Sequence, residues 1–261
     1  MDDLDGFVAP AACRALGRAL SLVAETASTN DDAREAAVRG APHGMTFVAD
    51  AQTAGRGRLG RRWHSPPGAS LYVSIVLRPN AFARDLALLP LSVGLAVAEA
   101  VDRVAPHLDA RIKWPNDVLV AERKLAGVLV EGALRGDRFQ HVVVGVGLNV
   151  RGPRPPEALA GRATTLAAEL GRDVARREVL AALLTCFEAR FEALDAGDSA
   201  AVVRAVNDRC LSLGRRVRVG EREGVAVEVQ DDGGMRVVFD DGAAQVFHGS
   251  EGLRLLDHAE G

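Results

Sequence analysis

Residues 125–150 constrain the fold more than any other stretch of the chain. Two long apolar runs, Leu125–Leu134 and Gln140–Val150, flank the turn Arg135-Gly136-Asp137 and read as the strands of one hairpin. Further strands are expected at Leu20–Glu25, Thr46–Gln52, Ser70–Leu77 and Arg111–Val120, the last broken by Trp114-Pro115-Asn116-Asp117. Helical patterns open the segment 11–27, follow Ser28 as far as Arg39, run from Leu86 to Val104, and fill an Ala-rich stretch between Thr165 and Leu211. Ser28 with Asp31, and Thr29 with Asp32, have capping-box spacing, while Gly40 and Pro42 stop the helix that follows. Pro153, Pro155 and Pro156 predict a stiff loop. After Leu213 the pattern changes to short strands at 215–219, 224–230, 235–240, 243–248 and 253–256, parted by Asp232-Gly233 and Asp241-Gly242. The expectation is an α+β protein: a mixed sheet flanked by helices over residues 1–211, then a small antiparallel barrel over 212–261. So small a barrel is marginal alone and should dock on the larger unit.

Composition narrows the function. The chain has 261 residues and a net charge of −3, from 32 cations and 35 anions, which argues against a general nucleic-acid binder. Cys13, Cys186 and Cys210 have no metal-ligand spacing and are expected to be reduced thiols. Met1-Asp2-Asp3-Leu4-Asp5 is acidic where a signal peptide would be basic. The apolar run from Leu86 to Ala98 is too short to span a membrane and contains Pro90. A soluble, cytoplasmic protein with no membrane partner is expected.

Thirty of the 32 cations are Arg, and the two lysines, Lys113 and Lys124, stand eleven positions apart. A site that needs a compact point charge could not use the planar fork of Arg. Other motifs accompany these lysines. Gly55-Arg-Gly-Arg-Leu-Gly-Arg-Arg-Trp63 places Gly, which lets backbone amides approach an anion, beside Arg, which binds carboxylate and phosphate bidentately. It lacks the G-K-[ST] of a P-loop, and no helix follows as in a dinucleotide fingerprint. Lys113-Trp-Pro-Asn-Asp117 offers a cation, an amide and a carboxylate on one turn, suited to phosphate and a hard cation, although Pro-Asn-Asp is also ordinary turn chemistry. Lys124 opens an apolar strand, where it either pairs with an anion or snorkels to solvent. Gly145 and Gly147 mark either a bulge or a close ligand approach. Capping alone accounts for Ser28-Thr29-Asn30.

In order and spacing these segments resemble the biotin protein ligases over nearly the whole chain. The matching stretches are Glu25–Asn30, Ala51–Arg61, Ser70–Ser74, Lys113–Asp117, Arg123–Gly127 and Gly145–Asn149, with Leu213–Val217 similar to the start of that family's C-terminal unit. The resemblance implies a class II synthetase-like catalytic domain followed by an SH3-like barrel. It implies a two-step reaction, in which biotin and MgATP form biotinyl-5′-AMP and the biotinyl group then passes to a lysine of a biotin carboxyl carrier protein or domain. ATP and Mg²⁺ would serve as co-substrate and ion, with no permanently bound cofactor and no dedicated metal site.

Carried over by position, Ser28, Thr29, Asn30 and Gln52 would bind the biotin head. Arg56, Gly57 and Arg58 would close over the biotin chain and phosphates, with Arg58 and Arg61 on the nucleotide. Lys113, Asn116, Asp117 and Asn149 would serve ATP. Lys124 would hold the biotin carboxylate, while Gly127, Gly145 and Gly147 line the pocket. Lys124, Lys113, Asp117 and Arg58 would carry the catalysis, with Asp117 also a candidate for deprotonating the acceptor lysine.

Some members carry an N-terminal winged helix and act as repressors. Only 27 residues precede Ser28, so a ligase without nucleic-acid binding is expected. His248-Gly-Ser-Glu-Gly252 departs from the family pattern. A sheet edge would allow a homodimer. The rival readings are a lipoate or octanoate transferase-like enzyme, a nucleic-acid module using the basic loop, and a binding protein without catalysis.

Overall fold

The computed structural model describes residues 3–80, 87–152, 161–249 and 253–256. The predicted proline loop after Gly152, Leu86, and the turn residues 250–252 lie outside these. The described residues form two sheets. The larger has seven strands: β1 (Leu20–Thr26), β2 (Thr46–Gln52), β3 (Ser70–Leu77), β4 (Ala110–Lys113), β5 (Asp117–Val120), β6 (Arg123–Arg135) and β7 (Arg138–Asn149), in the order β1-β2-β3-β7-β6-β5-β4. Only β1 and β2 run parallel; every other neighbouring pair is antiparallel, so the sheet is mixed, as expected.

The β6–β7 hairpin lies beside the fully buried β3, and its alternation sorts side chains cleanly. Leu71, Val73, Ile75 and Leu77 join Val142, Val144, Val146 and Leu148 in the main core, with helix α2 (Leu89–Val104), α4 (Arg176–Asp195) and α5 (Ser199–Arg209). The opposite face carries α1 (Thr29–Val38), whose Ala33 and Ala37 pack on Val76 and Val143. Pro90 sits in the first turn of α2, where its missing N–H costs nothing. The short α3 (Leu166–Leu170) is capped by Thr165, whose hydroxyl accepts from the Ala168 N–H.

Two local expectations fail. No helix forms at 11–19, which consists of turns. The amides of Arg14, Ala15 and Leu16, which a helix would need, instead donate to the Glu188 carboxylate on α4, and Gly17 adopts a left-handed φ of 76°. The capping boxes of α1 also fail: Ser28 is its N-cap but makes no side-chain cap bond.

The second sheet contains β8 (Arg216–Val219), β9 (Arg222–Val229), β10 (Met235–Phe239), β11 (Ala244–Phe247) and β12 (Leu253–Leu255), in the order β11-β10-β9-β8-β12. Its five short antiparallel strands agree with the sequence, although no pairing between β11 and β12 closes it into a barrel among the described residues. It docks on the larger sheet through Trp114. The indole Nε1–H donates to the Gly233 carbonyl at 3.0 Å, and the Trp114 amide donates to Ser212 Oγ at 3.1 Å. No helix among the described residues is long and apolar enough to cross a membrane.

Two histidines make the fold sensitive to acid. His43 packs against Phe191, and its Nδ1 accepts the Arg78 amide at 3.1 Å, a bond that needs neutral imidazole. Burial, joined by the Arg78 charge, pushes both His43 and His141 below the usual imidazole range, overriding the opposing pull of Asp195 and Glu188 on His43. The unfolded chain therefore takes up these protons first. Their contribution is complete above about pH 6.5 and is lost as pH falls below it, by at most about 1.4 kcal/mol per pH unit per histidine. Urea midpoints at pH 7.5 and 5.5 should show the loss, and H43Q should flatten it.

Candidate functional site

The register of the large sheet assembles the site. Residues directly opposite on adjacent strands point to one face. Tyr72 pairs with Gly147, Gly147 with Gly127, Gly127 with Asp117 and Asp117 with Lys113, so one row crosses five strands on the face that carries α1. The next row places Ser74 opposite Gly145 and Gly145 opposite Leu129. The glycines cut a notch into this face. Trp63, from the loop after β2, lies over it: a Cβ on Gly147 would fall 2.4 Å from the indole, and one on Gly127 3.0 Å from it.

Lys124 reaches this face through a bulge. The pairing of β5 with β6 shifts between Val118 and Leu119, so that Ala126 faces Val118 but Lys124 faces Leu119. The extra residue, Leu125, reverses the alternation and turns Lys124 away from the core. The lysine backbone is pinned on both sides: its N–H donates to the Arg162 carbonyl at 2.8 Å and its carbonyl accepts the Thr164 N–H at 3.0 Å. Its Nζ pairs with Asp117 Oδ1 at 2.8 Å and lies 5.3 Å from the Trp63 ring centroid. The Asn149 amide also reaches the Lys124 carbonyl, at 3.5 Å.

At the other end of the notch, the start of α1 supplies polar groups. Gln52 Oε1 accepts from both the amide and the hydroxyl of Thr29, and Gln52 Nε2 donates to Ser65 Oγ. Ser74 Oγ donates to Asn30 Oδ1 at 2.6 Å and lies 2.8 Å from Thr29 Oγ1. A Cβ on Gly145 would fall 2.0 Å from Asn30 Oδ1, so a side chain here would have to displace the Asn30 amide from its bonds to Ser74 and Glu131. Ser28, Thr29 and Asn30 are all buried. The side-chain hydrogen bonds of Thr29 and Asn30 run across to β2, β3 and β6, a positioning role that capping did not predict, whereas the Ser28 carbonyl accepts the Asp31 and Asp32 amides of the helix.

The Gly-Arg loop closes the remaining side as a small hairpin. Arg56 bridges Arg62, the Gly57 amide donates to the Arg61 carbonyl at 2.7 Å, and Leu59 at the tip takes a left-handed φ of 56°. Arg56 is clasped by two carboxylates, Asp31 at 2.7 Å and Glu131 at 2.6 Å, and Glu131 also accepts from Asn30 Nδ2. Arg58 donates to Asn116 Oδ1 at 2.9 Å, and Asn116 is itself fastened to the backbone of Val128 by two bonds.

The cavity between these groups, of about 60 Å³, is walled by Ser28, Thr29, Asn30, Gln52, Arg56, Gly57, Arg58, Asn116, Lys124, Gly127, Gly145 and Gly147 among the expected residues. Arg61, Lys113, Asp117 and Asn149 stand outside its walls, with Asp117 and Asn149 tied to it through Lys124 and Arg61 on the exposed arm of the loop hairpin. Sequence reasoning assigned no role in the site to Asp31, Trp63, Tyr72, Ser74 or Glu131, and read Asp31 only as a capping-box partner of Ser28. The buried Trp63 Nε1 has no hydrogen-bond partner. No cluster of three metal-ligating side chains occurs among the described residues. The arrangement joins a polar recess, a cationic end and a loop that shuts over both, which suits a neutral ring, an anionic chain end and a phosphate.

Comparisons with known proteins point the same way. A family profile described as the Biotin/lipoate A/B protein ligase family matches residues 23–149. The chain is 38% identical to the biotin–[acetyl-CoA-carboxylase] ligase of Mycobacterium tuberculosis, over 88% of this chain and 86% of that one. It is 32% identical to the bifunctional ligase/repressor BirA of Bacillus subtilis, over 84% of this chain and 69% of the relative. Among solved structures, the biotin protein ligase of Aquifex aeolicus in complex with biotin and ATP superposes with a TM-score of 0.79 at 34% identity, covering 91% of this chain and 99% of that one.

Proposed function

The chain belongs to the biotin protein ligase family, and we propose that it activates biotin with ATP and transfers the biotinyl group to a lysine of a biotin carboxyl carrier protein or domain. The observation that carries this reading is the bulge that brings Lys124 beside Asp117, under Trp63, at the end of a polar recess where a Cβ at Gly145 would collide with Asn30. In the first step, a biotin carboxylate oxygen bonds to the α-phosphorus of ATP and pyrophosphate leaves. In the second, the lysine nitrogen bonds to the acyl carbon, AMP leaves with the electron pair of the broken C–O bond, and the nitrogen gives up a proton.

Thr29, Gln52 and Asn30, already oriented by one another, would receive the ureido ring, with Ser28 beside them. Lys124 would hold the carboxylate, and Arg58 would neutralise phosphate as two anions are brought together. Lys113 and Asn116 would serve the nucleotide, with Arg61 and Asn149 at its margin. Asp117, a single carboxylate, suits Mg²⁺ that arrives largely ligated by phosphates and water rather than by a protein cage; the ion supplies charge neutralisation at the phosphates. Residues 1–211 would form the catalytic unit and 212–261 an SH3-like unit. Buried free Cys13, Cys186 and Cys210 suit a reducing cytoplasm.

The test is exchange of labelled pyrophosphate into ATP with biotin, lipoate or octanoate as the acid. Exchange with biotin alone supports the reading, exchange with lipoate moves the chain to the sister activity, and exchange with no acid removes it. A second expectation concerns the loop. Arg58→Ala unties the loop from Asn116 and should release the reactive intermediate. Biotin should then appear on a bystander protein without carrier function, at about tenfold the parent level. Equal bystander labelling would argue against retention by Arg58.

A further inference from the structure

A second cavity, of about 400 Å³, adjoins the site. Arg56, Gly57, Arg58, Asn116, Val128 and Leu129 line both cavities. The outer wall of the second cavity comes from elsewhere: Ala87, Pro90 and Leu91 at the start of α2, Pro115, and Asp232, Gly233 and His248 of the C-terminal sheet. We propose that this cavity is the port through which the acceptor lysine reaches the acyl carbon, with Asp232 at its mouth as the receptor for the lysine ammonium.

This rests on the ligase reading and adds to it the path of the second substrate. The shape and charge of the port favour that occupant. Pro90, Leu91, Pro115, Val128 and Val130 supply the apolar part of a mixed lining, which suits the methylene stem of a lysine. Of the two arginines in it, Arg56 is offset by Asp31 and Glu131, while Arg58, bonded to the neutral Asn116 amide, keeps its charge for the nucleotide phosphates. Asp232 is a fixed acceptor. Its Oδ1 takes the Gly234 amide at 2.9 Å and its Oδ2 meets His248 Nε2 at 2.7 Å. The His248 contact, followed by the Gly234 N–H, holds this carboxyl below the usual carboxylate range, so it stays ionised where enzymes work. The Gly233 carbonyl in the same turn holds Trp114, so Asp232 is placed by the same contact that braces the Lys113–Asp117 hairpin.

Asp232→Asn tests the port. Biotin-dependent pyrophosphate exchange should stay within twofold of the parent enzyme, because Asp232 does not touch the inner cavity. KM for a biotin carboxyl carrier domain should rise about fivefold with kcat nearly unchanged, and its salt dependence should flatten. Discharge of the bound intermediate by hydroxylamine, which needs no ammonium receptor, should be normal, and Asp232→Glu should recover most of the loss. Ala87→Trp, at an exposed position on the rim, should raise KM for the carrier in the same way while sparing exchange. Unchanged carrier kinetics in both variants would overturn the port. So would a raised KM for ATP in Asp232→Asn, which would place the nucleotide's phosphate tail there. Failure of exchange in the parent protein would instead remove the ligase reading itself.

Discussion

Lys124→Ala is expected to lower biotin-dependent pyrophosphate exchange by at least about 10³-fold, as loss of one preorganised charge at a reacting centre commonly does. The ammonium lies 2.8 Å from Asp117 and on the face where the glycine notch ends, so its removal would take away the charge proposed to hold the biotin carboxylate and break the pair with Asp117. Arg58 and Lys113 would remain for the phosphates, but the biotin carboxylate would approach them without the cation proposed to hold it. Lys124→Arg should not restore activity, because a forked guanidinium cannot occupy the place of a compact ammonium beside Trp63. Near-normal exchange in either variant would show that another group holds the biotin carboxylate.

Arg176→Met is expected to cost about 3–5 kcal/mol of folding stability, with a drop of about 10 °C in the thermal midpoint. Arg176 is wholly buried at the start of α4. Its guanidinium pairs with Asp3 at 2.7 Å and with Asp50 at 2.7 Å, and its backbone amide donates to Asp3 Oδ2. Burial alone raises both carboxyls, but the Arg176 hydrogen bonds and charge outweigh it and hold them below the usual range. Removing the arginine takes the shared cation from both carboxylates in a poorly solvated place and leaves Asp3 with the longer Arg151 contact, at 3.2 Å. The clamp also bears on the site, since Asp50 stands two residues before Gln52 on β2 and Arg176 reaches the Ser70 carbonyl where β3 begins. Urea unfolding followed by far-UV circular dichroism measures the loss. A change under 1 kcal/mol would mean that water or a shifted backbone takes over the arginine's role.

Most of the sheet was legible because its signals are local. Long apolar runs set β3, β6 and β7, and the turn residues set the hairpin between β6 and β7. The site residues of the Gly-Arg loop, the Lys113–Asp117 turn and the Lys124 strand were legible as motifs, and resemblance supplied their roles. What escaped depends on remote partners. Glu131 looks like one more polar residue on a strand, and only the fold brings it to Arg56, 75 positions away. Ser74 is hidden in an apolar run and meets Asn30, 44 positions away. The helix expected at 11–19 lost its amides to Glu188, at a separation of more than 170 residues. The bulge at Leu125 was unreadable too, since strict alternation would have turned Lys124 into the core.

The placement of the two lysines has a chemical consequence. Biotinyl-adenylate acylates amines and spares guanidiniums. Lys113 lies on β4 and Lys124 on β6, both on the sheet face that carries the site, and every other Lys-or-Arg position is Arg. The outer surface therefore offers no side-chain amine to any intermediate that leaks from its own pocket. Side-chain biotin on the purified enzyme would map to Lys113 or Lys124, so peptide mass mapping of self-labelled protein would read the interior of the site without background from the exterior.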